Sequence, residues 1–167
     1  GLAGRIETRE ASMDALPFEP GAFDAIWSEG AIYNMGFDAG IRAWRPFLAP
    51  GGALAVSEIT WLTSEAARPA DLAAHWNAEY PEIAPASAKI AALEAAGYVP
   101  IGYFPLAASA WMDGYYTPLR ARFPGFLARN PGEAAAEIVA AEEAEIALYE
   151  ANAAHVSYGF YIARRVD

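Results

Sequence analysis

Short apolar runs alternate along the chain with segments that place apolar residues on one helical face. Runs at Phe23–Ser28, Ala53–Ile59 and Tyr98–Leu106 have the length of buried strands. A fourth run lies at Val156–Ala163, and apolar–polar alternation at Arg5–Ala11 predicts one more strand near the beginning. Because Phe23–Ser28 is continuously apolar over most of its length, it is predicted as a central parallel strand buried on both faces.

Helical periodicity occurs between these runs. Phe37–Leu48 places four large apolar side chains on one face, and Ala86–Ala96 ends at Gly97, a residue suited to a left-handed cap. The sequence Asn130-Pro131-Gly132-Glu133 predicts an asparagine-capped helix that runs to about Ala154 with a solvated acidic face. Strands that alternate with helices predict an α/β fold with a largely parallel sheet.

Composition and charge exclude several classes of protein. The chain has 167 residues, of which 55% are hydrophobic, so we predict a single domain over residues 1–167. The formal net charge is -10 and Lys89 is the only lysine, so we expect neither a nucleic-acid partner nor an anionic membrane surface. Without cysteine, and with two histidines far apart, no metal site is predicted. No apolar stretch is long enough for a membrane span and no signal sequence is recognised, so we expect a cytoplasmic protein.

Four motifs occur in a fixed order. Ser12-Met13-Asp14-Ala15-Leu16-Pro17-Phe18 precedes the strand Phe23–Ser28, and Leu48-Ala49-Pro50-Gly51-Gly52 precedes Ala95-Ala96-Gly97-Tyr98. Their order and spacing resemble class I S-adenosylmethionine-dependent methyltransferases of the methyltransferase-11 type, over about residues 2–106. The resemblance implies a Rossmann-like, mostly parallel sheet with flanking helices and the strand order 3-2-1-4-5-7-6. It also implies a helical insertion, residues 107–154, before the last strand.

The family's first two βα units have no counterpart in this sequence. They carry the glycine-rich loop and the acidic strand end that bind the cofactor, and they amount to roughly 60 residues. The resemblance therefore implies an N-terminally truncated methyltransferase domain. Since strand backbone left unpaired in a core is costly, we expect one of three outcomes. Arg5–Ala11 takes the vacant place beside Phe23–Ser28, a second copy of the chain supplies the partner, or the first residues pack elsewhere.

The resemblance also implies S-adenosylmethionine as cofactor and a set of residues that contact it. Ser12 stands where the family commonly has an aspartate that accepts a hydrogen bond from the adenine amino group, and Met13 packs on adenine. Trp27 and Ser28 lie on the cofactor side of their strand. For Trp27, a place in the hydrophobic core is the competing interpretation.

The carboxyl ends of parallel strands are where open α/β sheets bind ligands. Glu29, just after Ser28, is predicted to orient the substrate or to accept a proton from it. Tyr33 faces the methyl group or the substrate, or else packs as a lid on the core. Glu58 at the end of the next strand acts in catalysis, caps a helix or pairs with an arginine.

Aromatic residues and histidines elsewhere have two interpretations each. His75 is interpreted as a surface or lid histidine rather than a general base, and His155 as structural. One aromatic cluster in the insertion either covers the active site as a cation-friendly wall or forms a dimer contact or satellite core. It consists of Trp111, Tyr115 and Tyr116.

Methyl transfer from S-adenosylmethionine to a small-molecule acceptor is the function that the resemblance implies. The alternative is a non-catalytic Rossmann-like fragment or interaction module that binds no cofactor. The missing glycine-rich loop favours the alternative for this chain, whereas the strand-end motifs favour the enzyme. A nicotinamide-dependent dehydrogenase is less favoured, because its fingerprint is also absent. A small-molecule substrate is the expected partner, and a homodimer stays open.

Overall fold

The computed structural model describes residues 1–166, which form an open sheet with flanking helices. The strands are β1 Phe23–Ser28, β2 Leu48–Trp61, β3 Ala84–Pro85, β4 Tyr98–Pro105 and β5 Val156–Arg165. The helices are α1 Phe37–Trp44, α2 Ala70–Glu79, α3 Ala86–Ala95, α4 Ala108–Trp111, α5 Thr117–Arg129 and α6 Glu133–Asn152, with a π-helical turn at Met112–Tyr116.

The sheet order is β1-β2-β5-β4, with the short β3 beside the end of β2. β1 and β2 are parallel, and β5 is antiparallel to both β2 and β4. β1, β2 and β4 therefore run in the same direction. This arrangement has the order of the last four strands implied by the resemblance, 4-5-7-6, so the predicted fold class is confirmed.

The junction between α1 and β2 differs from the prediction. The helix expected to reach Leu48 ends at Trp44, because Pro46 lacks an N–H and lies in a short 3₁₀ turn, Arg45–Phe47. β2 then begins at Leu48 rather than Ala53, and its pairing with β1 shifts register across the Pro-Gly-Gly segment. Leu48 is still fully buried. The apolar pattern therefore predicts correctly that this side chain lies in the core, although its backbone belongs to a strand and not to a helix.

The start of α6 also differs. The helix begins at Glu133, and Gly132 before it has a positive φ of 137°. Asn130 instead ends α5, where its Nδ2 donates to the carbonyl oxygen of Phe126 at 3.0 Å. The prediction that Asn130 caps α6 is therefore wrong. The asparagine satisfies a carbonyl at the end of one helix, not an amide at the start of the next.

The predicted strand Arg5–Ala11 is wrong. After a 3₁₀ turn at Ala3–Arg5 these residues are exposed and pair with no strand among residues 1–166. β1 consequently has β2 as its one described neighbour, and its other edge is open. Trp27 on this strand is 68% exposed, so the expectations of a strand buried on both faces and of Trp27 in the core are wrong. Of the three expected outcomes, the first is wrong: Arg5–Ala11 forms no strand beside β1, and Glu7, Arg9 and Ala11 line a cavity together with Phe23.

Two hydrophobic cores pack on the sheet. The first lies between the sheet and helices α1 and α3, and includes Phe37, Ile41, Leu54, Leu93 and Tyr161. The second lies where β2 ends, and includes Ile59, Leu72, Trp111, Tyr116 and Ile146. Because the second core joins α2 and the helices between β4 and β5 to the carboxyl end of β2, it places helical side chains around that strand end.

Candidate functional site

The loop after β1 is held across the carboxyl end of β2. Ser28 pairs with Val56, so β2 extends beyond β1 by residues 57–61. Gly30 has a positive φ of 53°, and its N–H donates to Ser57 Oγ at 2.8 Å. A side chain at Gly30 would also approach the phenol of Tyr158 at 3.4 Å. These contacts keep the loop tight against the strand end.

Glu58 on β2 is fully buried and forms an ion pair. Its Oε1 lies 3.7 Å from Nζ of Lys89 on α3, and neither carboxylate oxygen accepts a hydrogen bond from the described residues. Burial raises the pKa of Glu58 and, for the same reason, lowers the pKa of Lys89. The Lys89 ammonium donates to the carbonyl oxygen of Glu82 at 3.0 Å and lies 4.7 Å from the ring centre of Phe37. Glu58 is thus paired with a lysine, where the sequence suggested an arginine.

A small cavity of about 140 Å³, called here the inner cavity, lies beside this ion pair. It is lined by Tyr33, Glu58, Ile59, Trp76, Glu79, Tyr80 and Tyr158. The two strand-end loops therefore bring Tyr33 and Glu58 to one cavity. The ring centres of Tyr33 and Tyr80 are 6.4 Å apart across it, in an edge-to-face arrangement.

A larger cavity of about 480 Å³, the aromatic chamber, adjoins the inner cavity. It is lined by His75, Trp76, Glu79, Leu106, Ala110, Trp111, Tyr115, Glu145 and Tyr158. The two cavities share Trp76, Glu79 and Tyr158. A volume of this order accommodates a small organic molecule.

Stacked rings fix the wall of the chamber. The ring of Trp111 stacks on Tyr158 and Tyr149, with centres 5.1 and 4.8 Å apart. Trp111 Nε1 donates to Ser157 Oγ at 2.9 Å, and that hydroxyl donates to the carbonyl oxygen of Leu106 at 2.9 Å. The first turn of the insertion is therefore anchored to β5 by packing and by hydrogen bonds.

Tyr115 and Tyr116 point in different directions from the π-helical turn. Tyr115 is 52% exposed and lines the chamber, whereas Tyr116 is fully buried and donates to Glu145 Oε1 at 2.8 Å. Trp111 is also buried within the chain. The cluster is thus a satellite core that also supplies a wall of the chamber. Glu145 corrects the expectation of a purely solvated acidic face on α6.

The two histidines occupy different surroundings. His75 lies on α2 and lines the aromatic chamber, where its Nε2 is buried and has no hydrogen-bond partner among the described residues. His155 Nδ1 shares a hydrogen bond of 3.1 Å with Thr63 Oγ1 and lines neither cavity. This position agrees with a structural role for His155.

The residues assigned to the cofactor lie along the open edge of β1. Met13, Trp27 and Ser28 line a shallow, mostly apolar cavity of about 330 Å³. Ser12 is outside it, and its hydroxyl donates to Asp14 Oδ1 at 2.5 Å. Glu29 accepts a hydrogen bond from Trp27 Nε1, and it lines neither the inner cavity nor the aromatic chamber. Glu29 is therefore separate from Tyr33 and Glu58.

Within residues 1–166, no group of three or more histidine, aspartate and glutamate side chains is placed to hold a metal ion. No helix in the same residues is long and apolar enough to cross a membrane.

No family model and no curated protein matches the chain, whereas solved structures do. The [4+2]-cyclase SpnF is 27% identical with a TM-score of 0.71, over 99% of this chain and 57% of that one. A putative sarcosine dimethylglycine methyltransferase from Galdieria sulphuraria is 16% identical with a TM-score of 0.72, over 99% and 62%. A methyltransferase from Geobacter sulfurreducens, in complex with S-adenosylhomocysteine, is 20% identical with a TM-score of 0.69, over 86% and 58%.

These likenesses define the class of the fold. The chain has the fold of class I S-adenosylmethionine-dependent methyltransferases, as its motifs implied. It spans between 57% and 62% of the length of these three structures.

Proposed function

We propose that the protein transfers a methyl group from S-adenosylmethionine to a small molecule bound in the aromatic chamber. The observation that carries this proposal is the position of the chamber. It adjoins the inner cavity at the carboxyl end of β2, where open α/β sheets bind ligands, in a chain with a methyltransferase fold. The small molecule that receives the methyl group binds in this chamber.

The open edge of β1 fits one side of the cofactor. Met13 and Trp27 offer apolar surface suited to the adenine ring, and Ser28 offers a hydroxyl beside them. We assign Ser12 to the adenine amino group, as a neutral and therefore weaker acceptor than an aspartate. When bound, S-adenosylmethionine supplies an electrophilic methyl group.

The acceptor side needs alignment and exclusion of water more than acid–base chemistry. Tyr33 lines the inner cavity and not the chamber, so we assign its hydroxyl to orienting the part of the acceptor that reaches from the chamber into the inner cavity. We assign Glu58 to positioning, because its buried carboxylate holds Lys89 and with it the wall that contains Tyr80. Glu29 follows β1, accepts a hydrogen bond from Trp27 and lines neither cavity, so we assign it no contact with an acceptor in the chamber.

Replacing Tyr33 with phenylalanine tests this assignment in the full-length protein. We expect Y33F to slow methyl transfer about tenfold or more, since one oriented hydrogen bond is lost in the transition state, and to leave cofactor affinity unchanged. The measurements are release of S-adenosylhomocysteine with a panel of small acceptors and calorimetric titration of S-adenosylmethionine. Y103F is the matched control, because Tyr103 lies on β4 and lines neither cavity. Equal turnover in both variants would remove Tyr33 from the site, and absence of methyl transfer with every acceptor would count against the function.

Cyclisation of a bound substrate is the second candidate function. SpnF, named as a [4+2]-cyclase, is more similar in sequence than the two methyltransferases described above. Mass spectrometry of the product separates the two reactions. Methyl transfer adds a methyl group to the acceptor and releases S-adenosylhomocysteine, whereas cyclisation leaves the mass of the substrate unchanged.

A further inference from the structure

The walls of the aromatic chamber have the chemistry of a cation site. Four of its lining residues are aromatic: Trp76, Trp111, Tyr115 and Tyr158. The ring of Trp111 is stacked on Tyr158 and Tyr149, so Trp76, Tyr115 and Tyr158 are the rings that we propose to face a ligand. Aromatic faces carry negative electrostatic potential, and several rings around one space attract an organic cation by cation–π contact. Burial raises the pKa of Tyr115 and of Tyr158, so both phenols are neutral at physiological pH.

The charged side chains of the chamber point to the same ligand class. Glu79 and Glu145 line it, and among the described residues that line either cavity there is no lysine or arginine. The nearby ammonium of Lys89 is already engaged by Glu58 and by the carbonyl oxygen of Glu82. His75 is the one basic side chain among the described residues that line the chamber, so a phosphate or carboxylate there would meet two carboxylates and a single imidazole.

We propose that the acceptor bound in the aromatic chamber is an organic cation: a small molecule that carries a protonated or quaternary amine and, at a different atom, the lone pair that receives the methyl group. The ammonium group lies against the aromatic faces, and Glu79 and Glu145 supply the compensating charge. The inference rests on the proposed function, whose substrate class it names.

Three probes of the same shape and different charge test the proposal. They are choline, its neutral isostere 3,3-dimethyl-1-butanol, and the anion 3,3-dimethylbutanoate. Binding to the full-length protein is measured by calorimetry and by the fluorescence of its tryptophans. We expect choline to bind at least about tenfold more tightly than the neutral isostere, and the anion to bind most weakly. Equal binding of choline and the isostere, or tighter binding of the anion, would overturn the proposal.

Two variants locate the site. E79Q and E145Q should each weaken choline binding severalfold and leave binding of the neutral isostere unchanged, and glutamine at 145 still accepts the hydrogen bond from Tyr116. E137Q is the matched control, because Glu137 lies on the same helix as Glu145, is exposed and lines neither cavity. If E137Q weakens choline binding as much as E145Q does, net charge rather than the chamber attracts the cation, and the proposal fails.

The failure of this inference is distinguishable from failure of the proposed function. Methyl transfer to neutral acceptors, with choline ignored, would overturn the cation proposal and leave the methyltransferase intact. Tight, glutamate-dependent choline binding without transfer to any acceptor would support the cation site and overturn the methyltransferase.

Discussion

At the scale of single residues, the ion pair of Glu58 and Lys89 shows how two partners depend on each other. Both side chains are almost fully excluded from solvent, at 0% and 5% exposure. Desolvation of two charges is costly, and their attraction compensates only while both are present. Removing one partner therefore leaves a buried charge without compensation, whereas removing both leaves an apolar site.

We predict that K89M lowers the free energy of unfolding by about 3 kcal/mol or more, because it leaves the Glu58 carboxylate buried without a cation. E58Q should cost less, because glutamine resembles the protonated glutamate that burial already favours. The double variant E58Q/K89M should lose much less than the sum of the two single losses, because neither charge is then left alone. Urea unfolding followed by circular dichroism gives all four values. Strict additivity of the single effects would show that the two side chains do not act as a pair.

The ion pair also predicts a dependence of stability on pH. Because burial raises the pKa of Glu58 above the 4.5 of an exposed glutamate, folding favours its protonated form. Its contribution to stability is complete below pH 4.5 and is lost as pH rises through the raised pKa. We therefore expect the wild type to lose stability relative to E58Q/K89M as pH rises above 4.5. A constant difference in unfolding free energy over this range would contradict the raised pKa.

Part of this site was predictable from the sequence, because the apolar strands and their carboxyl ends can be located and ligands bind at those ends. Tyr33 and Glu58 were identified because they follow apolar strands, and the structure places both at one cavity. Lys89, Tyr80 and Tyr158 were missed, because their proximity to Glu58 depends on how a helix, a loop and an antiparallel strand pack together. No local pattern encodes that packing.

At the scale of helices and strands, the apolar periodicity predicts the existence of most elements more accurately than it predicts the residues at which they end. The bounds of β1 agree with the prediction, but α2 was not predicted. Its signals were present: Pro69 precedes it, Asp71 lies in its first turn, and Leu72 and Trp76 are four residues apart. Pro69 and Pro81 lie on either side of it, and prolines are also typical of loops. Exposure of β1 was also missed, because an apolar run does not show whether its neighbours are present.

Two helical glycines give opposite predictions. A Cβ at Gly40 in α1 would lie 2.5 Å from Cγ1 of the fully buried Ile32, so G40A should lower the free energy of unfolding by about 1–3 kcal/mol. A Cβ at Gly125 in α5 would meet the flexible guanidinium of Arg129 at 3.3 Å, so G125A should be neutral or stabilise by up to about 1 kcal/mol.

Thermal or urea unfolding of G40A, G125A and the wild type measures both effects. I32A/G40A serves as the rescue variant: it should be less destabilised than the I32A and G40A losses combined, because the shortened side chain makes room for the new methyl group. Stabilisation by G40A would mean that α1 and the preceding loop are not in close contact.

At the scale of the whole molecule, charge is unbalanced. The chain has 21 acidic residues against 11 basic ones, which gives a formal net charge of -10. Self-repulsion of this kind destabilises a compact state, whereas exposed ion pairs such as Arg120 with Glu143 and Glu150 contribute little. The balance therefore favours net repulsion, which salt weakens.

We predict that raising NaCl from about 10 mM to about 200 mM increases the free energy of unfolding by on the order of 1 kcal/mol. Urea unfolding at several NaCl concentrations measures this. R120Q, which removes both ion pairs of Arg120, should show the same or a slightly larger increase. A decrease of stability with salt would show that attractive pairs, not repulsion, dominate.

The fold as a whole was predictable, because the order of strands and helices and four short motifs define it. The direction of β5 and the open edge of β1 became visible only in three dimensions, since both depend on which strands lie beside them. The chamber was predictable only as a region of aromatic residues, since its walls come from α2, β5 and the helices before β5.

The π-helical turn at Met112–Tyr116 determines how far the side chains of α5, after the turn, are rotated about the helix axis relative to those of α4, before it. A π-turn holds one residue more than an α-helical turn, and one residue corresponds to about 100° of rotation about a helix axis. Trp111 before the turn and Phe123 after it both pack in the second core. Deleting a single residue here, such as Gly114, would restore an α-helix and swing one of these two rings toward solvent. The number of residues in this turn therefore affects the shape of the chamber. Related chains with one residue more or fewer in the turn should have different side chains lining their chambers.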